Sequence, residues 1–325
     1  MKIFSIGFFM ACIPVTPAFS DTSPDRLHEI EHFFEHAAVV AGPTIVDCTL
    51  SGGTKTQCFS ITVKSAPKTY KPGPWCPGSI NDSDEKGGIW LKDDTVKKVD
   101  GSFIKNLATL YDDDKWQLFD PATGKVKVTD TKASCEAAAR PDVDPKYNNY
   151  CVQCLPEYMP DDATMTYVIP LEPHNSWWSN RTNFSGSGIA YNGVRLDGPA
   201  PIDDILAAHT IAPFDHCGGH VNTHVGYHYH AVTDCLADAK IEAQHAAQIG
   251  IAMDGYEIFS HLLANGTEPD DLDKCNGHKA AGMSYHYHAG KAQSNAILGC
   301  LRAETGCVSD DPDLVCDASA RPARP

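Results

Sequence analysis

The first amphipathic segment of the chain is a short stretch near its start. Residues 27–38 have apolar side chains at helical spacing, which predicts a helix between the turn signals Ser23-Pro24 and Gly42-Pro43. Three histidines recur on the polar face of this helix, and glutamates are interleaved with them. We therefore interpret the face as solvated rather than as a metal-ligand set, although neighbouring imidazoles could share a metal there; the three are His28, His32 and His36.

Further along the chain, the apolar residues fall in short β-branched runs that are separated by turn residues. Runs at 44–46, 58–63 and 125–129 are typical of strands, and further runs follow at 165–170 and 188–196. Within the last of these, Asn192-Gly193 is a strong hairpin signal. An alanine-rich stretch, from about Cys235 to Gln248, predicts one more helix. The pattern predicts a mainly β fold with a few short helices, and an α+β arrangement is the alternative.

The first twenty residues predict export of the chain. One positive charge at Lys2 precedes an apolar run from Ile3 to Val15, and small residues then lead to Ser20. This is the pattern of a signal peptide that is cleaved near Ser20, and it is too short and too interrupted by proline to span a membrane. No later run is long enough to cross a bilayer, so we expect a secreted or periplasmic protein without membrane insertion.

Export changes the interpretation of the 13 cysteines. Cys12 lies in the predicted signal, and the even number that remains predicts up to six disulfides. The spacing of Cys151 and Cys154 matches a redox dithiol, but no βαβ pattern precedes it, which favours a structural role. In the C-terminal half, Cys217 and Cys275 could be ligands, yet export favours their oxidation, with Cys235 and Cys300 as reasonable partners.

Charge and length limit the function classes and the organisation. The chain carries 26 Lys and Arg against 42 Asp and Glu, a net charge of −16, which disfavours nucleic acid and favours cations. We divide the chain into a signal peptide (1–20), an N-terminal helix with a β-rich, disulfide-containing region (21–160), a domain that carries a repeated histidine motif (161–302) and a C-terminal tail (303–325).

The most informative feature is a motif that occurs twice. Asp215, Cys217, Gly219 and His220 precede the five residues Tyr-His-Tyr-His-Ala at 227–231, and all nine recur 58 residues later. Nine matches at one offset predict two related structural units.

Each Tyr-His-Tyr-His stretch places its histidines together if it forms a strand, because successive side chains point to opposite faces. Two imidazoles on one face supply two nitrogen ligands to a transition metal, and the histidine before each stretch could supply the third. The position that remains open suits a reactive site, and the sequence does not decide between two centres and one shared centre. The predicted ligands are His220, His228, His230, His278, His286 and His288.

Unrepeated histidines nearby are interpreted in two ways. We expect His216 and His224 to be additional ligands or partners of ligands, and we expect His209, His245 and His261 to have ordinary roles. The alternative for the whole motif is a hydrogen-bonded histidine interior without a metal. Burying six histidines without a ligand is costly, which favours a metal ion, copper or zinc.

These motifs resemble the YHYH domain family of exported proteins. The resemblance extends over residues 165–302 and includes 215–220, 249–259 and 272–278. The central segment is similar to the family's Asp-Gly-Phe-Pro-Ile-Tyr-Gly pattern, but Tyr256-Glu257 replaces Phe-Pro and Phe259-Ser260 replaces Tyr-Gly. The resemblance implies no settled activity. Asp254, before Gly255, is a candidate for orienting a ligand histidine or acting as a base, and an ordinary Asp-Gly turn is the alternative.

Three functions from different classes remain. The first is a protein that binds copper or zinc outside the cytoplasm, and the second is an extracytoplasmic metalloenzyme, either an oxidoreductase or a hydrolase. The third is a metal-free adhesion or carbohydrate-binding module, for which Trp177-Trp178 and Tyr191 are available aromatic residues. The metal ion is the partner we expect, and the sequence identifies no protein partner. The familiar hydrolase and nucleotide-binding motifs are absent from the sequence, so we favour the first function.

Overall fold

The computed structural model describes residues 23–140, 142–180, 182, 186–237 and 245–320. The predicted signal peptide lies outside these residues. The α-helices are α1 (Ser23–Phe33), α2 (Gly101–Lys105), α3 (Leu107–Leu110), α4 (Lys132–Ala138), α5 (Ile202–Ala207) and α6 (Asp234–Ala237). Among the described residues, none of the helices combines the length and apolar character that crossing a bilayer requires.

Strands form most of the regular structure, so the predicted mainly β fold is confirmed. In chain order they are β1 (Val39–Thr49), β2 (Lys55–Lys64), β3 (Ile89–Lys92), β4 (Thr95–Lys98), β5 (Thr164–Pro170), β6 (Asn175–Asn180), β7 (Gly188–Ala190), β8 (Arg195–Leu196), β9 (Gly219–Asn222), β10 (Gly226–Tyr229), β11 (Gln248–Ala252), β12 (Glu257–Phe259), β13 (Gly277–Lys279), β14 (Tyr285–His288), β15 (Leu301–Ala303) and β16 (Cys307–Ser309).

A four-stranded antiparallel sheet ties the two ends of the chain to its middle. Its order is β1-β2-β5-β16. The sheet therefore crosses the boundaries that we predict near residues 160 and 302, and β16 lies within the predicted tail. The division into domains stays a prediction, but the segments on either side of each boundary pair through backbone hydrogen bonds.

An eight-stranded sheet holds both copies of the histidine motif, and its order is β13-β14-β12-β11-β7-β8-β10-β9. Strands β7 to β10 form one unit and strands β11 to β14 form a second unit with the same internal arrangement. In each unit the first two strands form an antiparallel hairpin, and the hairpin pairs in parallel with the Tyr-His-Tyr-His strand. The units join where β7 pairs antiparallel with β11, so the sheet has the same strand order from either edge.

The structure extends the duplication beyond the motif found in the sequence. Residues 188–190 and 250–252 are both Gly-Ile-Ala, at an offset of 62, and the central pair of the β7–β11 ladder joins Ile189 to Ile251. The same offset makes Asn192 equivalent to Asp254. Because the equivalent stretches are only a few residues long, the sequence pattern by itself did not reveal them.

The two sheets and α1 share one hydrophobic core. Ile30 of α1, Phe59 of β2 and Tyr167 of β5 belong to the same buried cluster as Tyr229 and Tyr287 of the eight-stranded sheet. The tyrosines of the two motifs therefore face this core. A separate, smaller core around Trp90 and Trp116 lies in the segment between β2 and β5.

The prediction of six disulfides is confirmed, and the pairings of Cys217 and Cys275 are those that we considered reasonable. Cys151 and Cys154 both have structural roles, but they bond to different partners. The pairs are Cys48–Cys58, Cys76–Cys151, Cys135–Cys154, Cys217–Cys235, Cys275–Cys300 and Cys307–Cys316.

Three element predictions differ from the structure. The helix predicted over 27–38 spans Ser23–Phe33, and the chain then enters β1, which pairs with β2. Residues 125–129 form isolated bridges rather than a strand. The helix predicted over 235–248 is described only as Asp234–Ala237, residues 238–244 lie outside the described range, and Gln248 begins β11. At Gln248, pairing with Phe259 of β12 overrides local helix propensity.

Candidate metal centres

The alternation of each Tyr-His-Tyr-His strand separates its tyrosines from its histidines. In β10 and β14 the tyrosines enter the shared core, and the histidines project from the opposite face. The strand before each motif adds a third imidazole, since His220 pairs directly with His228 across β9 and β10, and His278 pairs with His286 across β13 and β14.

Equivalent aspartates hold the two motifs in the same conformation. Asp215 accepts hydrogen bonds from the Tyr227 hydroxyl at 2.9 Å and from the backbone N–H groups of residues 217 and 219. Asp273 does the same with the Tyr285 hydroxyl, at 2.9 Å, and residues 275 and 277. Each carboxylate fixes the turn before the strand that carries the third histidine, which explains why these aspartates are part of the repeat.

In the second unit, four imidazoles converge on one point. The Nε2 atom of His245 lies 3.2 Å from that of His278, 3.1 Å from that of His286 and 3.0 Å from that of His288. The Nε2 atoms of His278 and His288 are 3.2 Å apart. Four nitrogens that surround a metal tetrahedrally at about 2 Å would lie about 3.3 Å from one another. These four distances, 3.0–3.2 Å, are close to those of a four-nitrogen coordination shell.

The other ring nitrogens of this group are bound to oxygen atoms. His278 Nδ1 lies 2.5 Å from Asp271 Oδ1, His286 Nδ1 lies 2.9 Å from the Ser284 carbonyl oxygen, and His288 Nδ1 lies 2.8 Å from the Ser260 carbonyl oxygen. Carbonyl and carboxylate oxygens only accept, so each Nδ1 carries the proton. The Nε2 lone pairs of these three rings therefore point at the common centre.

Burial disfavours the charged forms of His245, His286 and His288. It lowers the pKa of His288 to about 4, with further lowering from the neighbouring histidines. It also lowers the pKa values of His286 and His245. Their neutral forms are thus favoured near neutral pH, in which a ring nitrogen can donate to a cation.

In the first unit, three imidazoles form a similar group. The ring centroids of His220, His228 and His230 are 4.7–4.9 Å apart, and one ligand atom from each lies within 4.8 Å of the others. The Nδ1 atoms of His228 and His230 lie 3.0 and 2.6 Å from the carbonyl oxygens of Gly226 and Gly198. Burial lowers the pKa values of all three, that of His230 to about 3.

The oxygen atoms that anchor the rings are duplicated together with the rings. Gly226 and Gly198 in the first unit are equivalent to Ser284 and Ser260 in the second, at the offsets of 58 and 62. The Pro213 backbone, which hydrogen-bonds to His220, is equivalent to Asp271. The second unit therefore has a carboxylate where the first unit has a backbone group.

The surroundings of the two groups differ more than the groups do. A cavity of about 450 Å³ adjoins the first group, and its lining includes Asp197 and Arg195, whose side chains form an ion pair at 3.2 Å. Burial disfavours the charge of Asp197, but His228, Arg195 and His230 hold its pKa below its ordinary value. In the second unit Phe259 is equivalent to Asp197, and its ring centroid lies 4.9 Å from that of His286.

The structure brings together all six repeated histidines, in two groups of three, and the remaining sequence-predicted ligands lie elsewhere. His216 and His224 are exposed and belong to neither group. The Nε2 atom of His216 lies 3.5 Å from Cys217 Sγ, but this sulfur is bonded to Cys235 and cannot bind a metal as a thiolate.

His245 is the ligand candidate that sequence reasoning missed. We expected an ordinary role because His245 has no counterpart in the repeat. It directly precedes the strand segment that begins at Gln248, and the fold of the second unit turns it toward the three repeated histidines. His209 and His261 do have ordinary contacts, with Asp113 and with Glu268.

Asp254 lies on the tyrosine side of the second unit. It accepts hydrogen bonds from the Tyr287 hydroxyl at 2.7 Å and from the backbone N–H groups of Arg302 and Ala303 at 3.1 and 2.9 Å. None of these donors is a histidine, so this side chain orients the strand of the motif rather than a ligand ring. Its role as a base stays a prediction.

Comparison with known proteins connects this arrangement to one family. Residues 166–271 match the family model described as YHYH protein. None of the curated proteins or solved structures compared with the chain matches it. The matched segment contains the first motif and Asp254 and ends before the second motif. Residues 166–271 therefore form a YHYH domain, as the resemblance predicts.

Proposed function

We propose that this chain binds transition metal ions, one at each histidine group, after export from the cytoplasm. The first centre consists of His220, His228 and His230. The second centre consists of His245, His278, His286 and His288. Six disulfides are compatible with an oxidising compartment outside the cytoplasm, and the proposed localisation rests on them and on the predicted signal peptide.

The observation that carries the proposal is the direction of the lone pairs in the second centre. As neutral imidazoles, three of its four rings carry their protons on Nδ1, so their Nε2 atoms have no proton to share with one another. In a hydrogen-bonded histidine interior, each short nitrogen–nitrogen contact would need one N–H donor. Only His245 could supply one, and it could serve only one of its three neighbours. A cation at the centre would satisfy all four lone pairs at once.

Imidazole ligands suit copper and zinc, and these remain the metals that we propose. The near-tetrahedral spacing of the second centre fits the usual geometry of a zinc site with four protein ligands. The carboxylate of Asp271 supports this centre, because a carboxylate that accepts from a ligand histidine raises the basicity of the ring.

Elemental analysis tests the proposal. The full chain, purified without a metal-affinity tag and with its disulfides intact, is expected to carry two transition metal ions. Replacement of two histidines in either centre should remove one ion and leave the other. Matched variants at equivalent positions are His228→Ala/His230→Ala and His286→Ala/His288→Ala. A wild type that stays metal-free after incubation with Zn²⁺ and Cu²⁺ would refute metal binding. It would favour the metal-free module instead, for which Trp177 is exposed.

A metalloenzyme is the second candidate function, and the cavity beside the first centre is the observation that favours it. Three nitrogen ligands leave a coordination position for water or substrate, and catalytic zinc sites have this arrangement. The cavity of about 450 Å³ has the size of a small-molecule site. Detection of a reaction that requires the first centre and not the second would support it.

A further inference from the structure

We propose that the first centre binds an exchangeable small-molecule ligand, whereas the second centre is closed by its own fourth histidine. The inference rests on the proposed metal binding and assigns different tasks to two centres that arose from one duplicated motif. It also identifies the ligand class as a compact nitrogen or oxygen donor group that carries a hydrogen atom and is attached to an apolar body.

The fourth ligand is the first difference between the centres. His245 completes the second group, and among the described residues no histidine, cysteine or carboxylate joins the first group. Residues of the first unit precede their equivalents around β11 by 62 positions, so the residue equivalent to His245 is Asn183. Residues 181 and 183–185 lie outside the described range, but they are Arg, Asn, Phe and Ser, and none of these is a strong ligand for copper or zinc.

The residue beside the rings is the second difference. Phe259 packs at the rings of the second centre, with ring-centroid distances of 4.9 Å to His286 and 6.0 Å to His288. The equivalent residue in the first unit is Asp197, which lines the same cavity as the three imidazoles. An apolar ring covers a closed site, whereas a charged carboxylate beside a metal ion can accept a hydrogen bond from a bound ligand.

The cavity is the third difference. Its lining combines the three histidines and Asp197 with apolar side chains that include Val152, Ile205 and Val221. The Gly198 carbonyl, directly after Asp197, also anchors the His230 ring. A ligand that coordinates a metal at the three nitrogens would therefore meet the carboxylate at its head and apolar surface along its body.

The imidazole ring is a suitable probe head, because one nitrogen can ligate a metal while the other carries a hydrogen. A phenyl substituent supplies the apolar body. Burial of most of a phenyl group in the cavity is expected to strengthen binding at least tenfold, from about 25 cal/mol for each Å² of apolar surface. The probe pair is therefore 4-phenylimidazole and imidazole.

The experiment uses the full chain, with its disulfides intact, loaded with Co²⁺, whose visible absorption reports changes in coordination. In the wild type, which should hold two Co²⁺ ions, we expect one molecule of 4-phenylimidazole to bind per chain. In His286→Ala/His288→Ala, which keeps only the first centre, we expect the same response, and imidazole should bind at least tenfold more weakly. In His228→Ala/His230→Ala, which keeps only the second centre, we expect no response.

Three results would overturn the inference while leaving metal binding intact. In the first, 4-phenylimidazole does not change the absorption of the Co²⁺-loaded wild type. In the second, it changes the absorption of both double variants equally. In the third, it changes only the absorption of the variant that keeps the second centre. Failure of the wild type to bind Co²⁺, Zn²⁺ or Cu²⁺ would instead refute the proposed function.

The role of His245 has a separate test in the protein that keeps only the second centre. His245→Ala leaves three nitrogens in that centre, as in the first. If His245 closes the site, this variant should retain Co²⁺ and should respond to imidazole. Phe259 packs against the rings of this centre, so we expect no room for the phenyl group, and 4-phenylimidazole should have no tenfold advantage. Bound Co²⁺ that does not respond to imidazole would contradict the assignment of His245 as the closing ligand.

Discussion

Replacing Asp254 by asparagine should remove a pH dependence from the stability of the fold. The carboxyl group is fully buried beneath the second unit and accepts hydrogen bonds from the Tyr287 hydroxyl and from two backbone N–H groups. These donors favour its charge, but burial outweighs them and raises its pKa to about 6, from an ordinary value of 3.8. The folded chain therefore holds this proton more tightly than the unfolded chain.

The difference between these two pKa values corresponds to about 3 kcal/mol, at about 1.4 kcal/mol for each pH unit. A carboxyl whose pKa is raised by folding contributes stability that is fully present below pH 3.8. The contribution is lost as the pH rises through about 6. Between pH 4 and pH 7, we expect the wild type to lose roughly 2 kcal/mol through this group.

Denaturant unfolding of the oxidised protein at pH 4 and pH 7 measures this loss as a difference between Asp254→Asn and the wild type. At pH 4 both side chains are neutral, so the stability difference there measures only the altered hydrogen bonding of the variant. Relative to the wild type, the variant should gain roughly 2 kcal/mol on going to pH 7. Every other titrating group is common to both proteins and cancels. An unchanged difference between pH 4 and pH 7 would refute the reasoning.

The equivalent residue of the first unit provides a reciprocal control. Asn192 is buried, donates from Nδ2 to the Tyr229 hydroxyl at 2.9 Å and accepts from the backbone N–H of Val194 at 3.2 Å. Asn192→Asp should introduce the dependence that Asp254→Asn removes, with stability falling as the pH rises, because burial disfavours the new charge.

Three further changes have expected outcomes. Extraction of the metal by a chelator should lower the unfolding temperature, and returning Zn²⁺ at 100 times its Kd should restore about 2.7 kcal/mol; calorimetry that finds equal melting with and without metal would argue against this linkage. Asp271→Asn should weaken metal binding at the second centre about 10- to 100-fold in competition with a chromophoric chelator, because it replaces the charged acceptor of His278 Nδ1 by a neutral amide; an unchanged affinity would exclude that role for the carboxylate. Cys275→Ser/Cys300→Ser removes a disulfide between residues 25 positions apart and should lower the free energy of unfolding, measured with denaturant, by roughly 3 to 4 kcal/mol. A negligible decrease would indicate that the unfolded chain is already constrained in this loop.

Several features of this protein were determined by local sequence alone. The alternation of Tyr and His in each Tyr-His-Tyr-His stretch decides which rings share a face, because successive side chains of a strand point to opposite faces. Asn192-Gly193 forms the predicted turn, with Gly193 at a φ of 82° that suits glycine. The even number of cysteines after removal of Cys12 anticipated six disulfides. In all of these cases the deciding interactions lie within a few residues or follow from composition.

Other features depended on contacts between distant parts of the chain. Repetition in the sequence identified His278, His286 and His288, but only the fold brings His245 to them. The sheet also decides that the repeated histidines form two groups rather than one, because its order places the Tyr-His-Tyr-His strands in separate halves with two hairpins between them. Sequence spacing gives no information about such an order.

The same reason explains the errors in secondary structure. The helix predicted to continue to Ala38 ends at Phe33, and the chain turns before β1, which pairs with β2. Gln248, the last residue of the other predicted helix, begins β11 because distant strands offer backbone hydrogen bonds and a buried face. Asp254 illustrates the limit at the level of a single side chain. The sequence Asp254-Gly255 is typical of a turn. The burial of Asp254 and its hydrogen bond with Tyr287 depend on how the second unit packs against the remainder of the fold.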